Sequence, residues 1–138
     1  YGPKQNPRSE YAAVVPKFIS STIKGKPVEI YGDGEQTRDF TFIEDVINAN
    51  LLACLSKKSD GKALNIAGGK RISINDLANK IMKMVGREVQ VVYKERREGD
   101  VKDSLADISL ARDFIDYTPK YSLDEGLKET IHYFKEIY

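Results

Sequence analysis

Two arginine-bearing segments hold the chemistry that this sequence can offer. The first is Ile30-Tyr31-Gly32-Asp33-Gly34-Glu35-Gln36-Thr37-Arg38-Asp39-Phe40: a short apolar run, a glycine turn, then an arginine set between polar and aromatic neighbours. A guanidinium is a planar fork of donors that meets phosphate oxygens two at a time, so Arg38 suits a diphosphate. The second is Arg96-Arg97-Glu98-Gly99-Asp100, where Asp100 can accept from two neighbouring hydroxyls of a cis-diol. Together they read as opposite walls of a nucleotide-sugar site. Other reactive types offer less. His132 is the only histidine and cannot build a metal site or a catalytic triad alone. Cys54, between Ala53 and Leu55 in a helical run, reads as core. Asp45 reads as a helix-dipole or capping residue, and Arg96 as a solvated charge.

Alternating helices and strands are expected to position these groups. Residues 11 to 24 read as a helix, with Pro16 in its first turn and Gly25 just past its end. Val28 to Tyr31 reads as a strand and Gly32-Asp33-Gly34 as its turn. Between Ile43 and Lys57, the residues Ile43, Val46, Ile47, Leu51, Leu52 and Leu55 form an apolar helical stripe. Ala63 to Ile66 reads as a short buried strand that ends at Gly68-Gly69. Asn75 to Val85 is a second amphipathic helix, with Leu77, Ile81, Met82 and Val85 inward and Gly86 as its stop. Val89 to Tyr93 alternates like a strand. Two last helices are expected near Ser109 to Ile115 and Leu123 to Ile137, and Ser122-Leu123-Asp124-Glu125 is a capping box for the second. Without repeats or long linkers, residues 1–138 read as one α/β domain.

Composition narrows the partners. A chain of 138 residues can bury one real core. Its formal net charge of +1 favours neither nucleic acid nor an anionic membrane. No apolar run approaches a membrane span and no signal-peptide pattern is visible. A single cysteine cannot close an internal disulfide, which points to a reducing, cytoplasmic setting.

Order and spacing carry a resemblance over nearly the whole chain. Besides the Ile30-to-Phe40 segment, the matching residues are Tyr1-Gly2-Pro3-Lys4-Gln5, Val15-Pro16-Lys17-Phe18 and Phe42-Ile43-Glu44-Asp45-Val46. Later come Leu64-Asn65-Ile66-Ala67-Gly68, Arg97-Glu98-Gly99-Asp100, Ala106-Asp107 and Tyr117-Thr118-Pro119. The sequence resembles the C-terminal, substrate-binding part of NDP-sugar epimerases of the extended short-chain dehydrogenase/reductase family, most closely the UDP-hexose 4-epimerases. Such enzymes seat NAD on a glycine-rich turn and use a Tyr-x-x-x-Lys pair as acid/base. Neither pattern occurs here: the glycines at 32, 34, 68 and 69 form no G-x-x-G-x-x-G run, and no tyrosine has lysine four residues on. The resemblance therefore implies a fragment, a small mixed α/β substrate-binding domain without its Rossmann half.

The family pattern assigns roles residue by residue. It gives Arg38 and Arg97 the diphosphate and Asp100 a ribose hydroxyl. The strand Glu29-Ile30-Tyr31 would meet the uracil edge through its backbone, with Tyr31 either stacked on the base or in the core. Phe40 stands where some relatives have tyrosine, and keeps a packing role. Ser104 would stand beside the sugar C2 substituent, where a small side chain leaves space for an acetamido group. The resemblance implies a homodimeric UDP-glucose/galactose 4-epimerase, also accepting N-acetylhexosamines, that inverts C4 through a 4-keto intermediate on NAD bound by the missing half. The fragment itself would be inactive. A dehydratase, decarboxylase or uronate epimerase on the same scaffold, and a stand-alone nucleotide-binding remnant, remain open.

Overall fold

A computed structural model describes residues 1–7 and 13–138. The elements are α1 (Val14–Ile23), β1 (Val28–Tyr31), β2 (Thr37–Asp39), α2 (Ile43–Leu55), β3 (Arg71–Ser73), α3 (Ile74–Val85), β4 (Val91–Lys94), α4 (Ser109–Ile115) and α5 (Leu123–Ile137), with a 3-10 turn at Lys57–Ser59. Helix α1 starts at Val14, which places Pro16 in the first turn, where its missing N–H costs nothing. Positions 11 and 12 of the expected helix lie outside the described residues. Gly25 follows the helix with φ +65°, a conformation that glycine adopts without strain.

The strands form two small pairs. β1 and β4 are parallel, with Val28 opposite Val91 and Tyr31 opposite Lys94. Val28 N donates to Gln90 O and Gly32 N to Lys94 O, each at 2.9 Å, extending the pairing past both ends. This register moves the expected strand at 89–93 to Val91–Lys94. β2 and β3 are antiparallel, with Arg38 opposite Ile72. Sequence alone did not point to this pair, because three-residue strands are too short to show alternation.

Two apolar clusters hold these elements. The larger packs Phe18 and Ile19 of α1, Ile30 of β1, Leu77 and Ile81 of α3, and Leu127 and Phe134 of α5. Helix α3 turns Leu77, Ile81 and Met82 inward as its spacing demanded, with Val85 half-buried; Ser73 caps it and Gly86 ends it with φ +81°. The smaller cluster gathers Ala49, Ala67, Ile108, Ala111, Ile115 and Tyr117. The capping box at Ser122 and Glu125 is formed in both directions.

Three expectations need correction. The helix forms over Ile43–Leu55, but most of its apolar stripe does not face the core: Ile43, Ile47, Leu51 and Leu55 are exposed, Val46 and Leu52 are half-buried, and the inward face is made by Asp45 and Ala49. Ala63 to Ile66 forms no strand, because no other strand lies alongside it among the described residues; Leu64 and Ile66 are half-buried, and Ala63 and Asn65 are exposed. Cys54 is exposed rather than core, since it lies on the side of α2 away from Ala49. Asp45 is near its helix start, but its carboxylate serves another segment. It accepts from Lys120 N at 2.8 Å and Tyr121 N at 3.4 Å, tying α2 to the entry of α5. No described helix is long and apolar enough to cross a membrane.

Tyr117 gives the smaller cluster a pH dependence. It is fully buried and donates to Ala67 O at 3.0 Å. Burial, and then the charges of Asp45 and Asp39, push its phenol up to about 12 from an ordinary value of 10.0. A raised folded value means that the neutral phenol's contribution is complete below pH 10 and is lost as pH rises from 10 through 12. Urea midpoints should fall across that window, and Tyr117→Phe should flatten the fall while costing about 1 kcal/mol at neutral pH. An unchanged slope in the variant would assign the alkaline loss to other groups.

Candidate functional site

Arg38 occupies the middle of β2, and this strand is laced to a loop sixty residues away. Thr37 N donates to Lys102 O at 2.9 Å, Ser104 N donates to Thr37 O at 3.1 Å, and Thr37 Oγ1 donates to Asp103 Oδ1 at 2.6 Å. The Thr37 bond, more than Arg71, Lys102 and Arg38 nearby, holds Asp103 below its ordinary carboxylate range. These bonds carry the second arginine cluster to the first.

At the junction, Arg38 Nη2 forms an ion pair with Asp100 Oδ1, while Nη1 donates to Thr37 O at 2.8 Å and Lys102 O at 3.2 Å. Both side chains of the pair are about a quarter exposed, at 23% and 28%, so it is partly screened rather than sealed in the core. A guanidinium has five N–H donors, so at least two of Arg38's remain for a ligand. Arg97 lies over the Tyr31 ring, 3.9 Å from its centroid, as a cation–π contact. One face of Tyr31 is therefore covered by a guanidinium. Arg96, expected to be a plain solvated charge, donates from Nη2 to Asp100 O at 2.9 Å and braces the turn. Asp100 N closes that turn on Arg97 O at 3.2 Å, with Gly99 at φ +77°. A side chain at this φ would be strained.

The Gly32–Gly34 turn is braced by residues that the sequence reading did not single out. Gln36 Nε2 donates to Tyr31 O at 2.6 Å. Asn75, in the first turn of α3, donates to Asp33 O at 3.0 Å and Glu35 Oε1 at 2.7 Å, and accepts from Tyr93 OH at 3.1 Å. The two bonds that Asn75 donates span 42 and 40 positions, so no local pattern announces them. Asp39 accepts from Gly68 N and Gly69 N at 3.0 and 2.9 Å and fixes the far end of β2.

Between α1 and the ends of β1 and β2 lies an open cavity of about 870 Å³. Of the residues singled out from sequence, Arg38, Arg97, Asp100, Glu29, Ile30, Tyr31 and Phe40 line it, and Ser104 does not. Ser104 is exposed and enters the arrangement through its backbone bond to Thr37. The Ile30 side chain belongs to the main core, so it presents mainly backbone. Glu29 pairs with Lys94 at 3.4 Å, and Phe40 packs edge-on to Tyr1 with ring centroids 6.4 Å apart. Lys17, Lys24 and Lys26 are also among the lining residues. Five cationic side chains face two carboxylates in a chain of net charge +1, a local excess that attracts an anion.

The described residues do not fit a dinucleotide cofactor. Its pyrophosphate needs a glycine turn that leads from a strand into a helix N-terminus. Here Gly32–Gly34 leads from β1 to β2, and Gly68–Gly69 leads into β3. Among the described residues, no group of histidine, cysteine and carboxylate side chains could hold a metal ion.

Known proteins resemble this chain over nearly its whole length. Residues 1–130 match the family model described as GDP-mannose 4,6 dehydratase. The chain is 34% identical to a UDP-glucuronate 4-epimerase of Thermodesulfobacterium geofontis over 137 residues, covering 99% of this chain and 41% of that protein. The structure of the Thermotoga maritima UDP-glucose 4-epimerase with UDP-glucose superimposes with a TM-score of 0.94 at 39% identity, over 99% of this chain and 43% of that one. The Bacillus cereus UDP-glucuronic acid 4-epimerase, solved with UDP-glucuronic acid and NAD, gives 0.92 at 35% identity, over 100% and 43%. Relatives of similar identity also include a nucleotide-sugar decarboxylase and reductases. The chain thus spans about two-fifths of its relatives' length, and it belongs to the NAD-dependent epimerase/dehydratase family, the extended short-chain dehydrogenases/reductases.

Proposed function

We propose that this chain is the nucleotide-sugar-binding part of a UDP-sugar 4-epimerase. The observation that carries the reading is Arg38, held by Asp100 and two carbonyls at the edge of a cationic cavity, with donors left over and Arg97 among the lining residues. Arg38 and Arg97 grip the diphosphate, and Asp100 accepts from the ribose hydroxyls while steadying Arg38. The β1 backbone at Glu29, Ile30 and Tyr31 meets the uracil edge, with Phe40 packing behind. Ser104 lies next to the sugar C2 substituent, where its small side chain admits an acetamido group as readily as a hydroxyl.

In this reading NAD and the tyrosine–lysine acid/base pair belong to a Rossmann portion outside these residues, in a cytoplasmic homodimer. NAD supplies hydride removal and return at C4. The present residues hold UDP firmly while leaving the hexose free to turn between its two faces. Binding of the non-reacting nucleotide thereby serves the reacting centre. By itself the chain binds but does not epimerise. The decarboxylase and reductase relatives support a second reading, in which the same UDP grip serves another reaction of the family.

Calorimetric titration of the chain tests the grip directly. UDP should bind, and Arg38→Ala should weaken it by about 10- to 100-fold, the worth of a charge-assisted hydrogen bond or two, while uridine binding barely changes. Equal UDP affinity in the variant and the parent would remove Arg38 from the diphosphate site.

A further inference from the structure

The sheet of β1 and β4 stops at two strands, and β4 has an open edge. Val28 N donates to Gln90 O and Gly32 N to Lys94 O, so Gln90 and Lys94 turn their main-chain groups towards β1. Alternate residues of a strand turn these groups to opposite sides. Val92 therefore also serves β1, whereas Val89, Val91 and Tyr93 point outward. Among the described residues, nothing bonds to the N–H or C=O of these three. Such an edge is a template for another strand unless proline, charge, a bulge or a covering segment guards it. Here residues 89–93 read Val-Gln-Val-Val-Tyr, without proline, and Tyr93 is 56% exposed. The alternation begins at Val89, yet the pairing with β1 begins only at Val91.

This stretch is also complementary to itself when reversed. With a two-fold axis at Val91, that residue meets its own copy, Gln90 meets Val92 and Val89 meets Tyr93. Glu88 then meets Lys94, once on each side of the axis. Val91 with its copy, and Val89 with Tyr93, fall at positions whose N–H and C=O groups face outward, so they can exchange main-chain bonds. A β-branched side chain opposite an aromatic one, and an acid opposite a base, are both favourable cross-strand pairs. An axis at Tyr93 would instead set Glu88 against Glu98.

We propose that the open edge of β4 pairs antiparallel with the same edge of a second copy of this chain, about a two-fold axis at Val91. Charge complementarity selects this occupant: the acid and the base that a partner strand must supply at these positions are the chain's own Glu88 and Lys94. Both are exposed and within reach of an incoming strand. Pairing turns two small sheets into one of four strands, β1-β4-β4-β1, a size that supports itself better than two. Val89 and Val91 pack on the main apolar cluster, which backs the joined sheet in each copy.

Sedimentation of the 138-residue chain tests the pairing, with a dissociation constant of about 0.1 mM or tighter expected. Glu88→Lys and Lys94→Glu change exposed side chains and should leave the melting temperature within about 2 °C. The Lys94–Glu29 pair lost in the second variant is half exposed and worth little. Each variant alone sets like charges opposite each other twice, and should weaken the dimer by about 10-fold. Mixed in equal amounts, the two should associate as tightly as the parent, because every lysine then faces a glutamate. Hydrogen exchange gives a second readout: the amides of Val91 and Tyr93 should slow as protein concentration rises, while that of Val92 stays constant. A parent chain that remains monomeric at about 1 mM would overturn the proposal and leave the edge to a strand of another protein. So would a dimer indifferent to both variants, or one that mixing does not restore. UDP titration reads the nucleotide site separately, because none of residues 88–94 lines its cavity.

Discussion

The cavity depends on the closure between β2 and the loop from Arg96 to Ser104. Three hydrogen bonds at Thr37 and the ion pair at Arg38 join segments about sixty residues apart. Without them, Arg38 would stand on a three-residue strand and Asp100 on a free glycine turn. Ordering such a loop costs about 1–2 kcal/mol of backbone entropy per residue, so several bonds must act together. Arg96 and Gly99 shape the turn, and Asp39 anchors the other end of β2 to Gly68 and Gly69. The loop is fixed from both sides, and Arg38 is aimed before any ligand arrives.

That closure also sets the electrostatics. Asp100 neutralises part of Arg38 but leaves donors free, and Arg97 is held above Tyr31 without a carboxylate partner among the described residues. The lysines from α1 and the turn after it add to one side of the cavity. These cations on strand and loop are prearranged, a condition that lowers the ordering cost of binding an anion. Asp100 fixes the geometry of Arg38 through their ion pair, so its removal would release the guanidinium.

Helix α2 shows how one amphipathic pattern can be read two ways. Its large aliphatic residues predict a buried face, and hydrophobicity alone makes that the natural choice. The face that packs instead carries Asp45 and Ala49. The small alanine allows close approach to the second cluster, and the aspartate is needed where the backbone amides of Lys120 and Tyr121 lack other acceptors. The larger residues Ile43, Ile47, Leu51 and Leu55 stay exposed on the opposite side.

Local interactions made much of this protein legible without coordinates. The strand segment Val28–Tyr31, the Ser122 cap, the Gly86 stop and helix α5 all follow from contacts within a few residues, where spacing and side-chain type are sufficient. The pairing of Arg38 with Asp100, the bracing by Asn75, and the choice of α2's inner face were decided only by the tertiary structure. These are contacts between distant segments, and sequence periodicity reports which residues can be buried but not which neighbour will bury them. Ala63 to Ile66 makes the same point in reverse. Its composition specifies a strand, but a strand exists only where a second one supplies the hydrogen bonds.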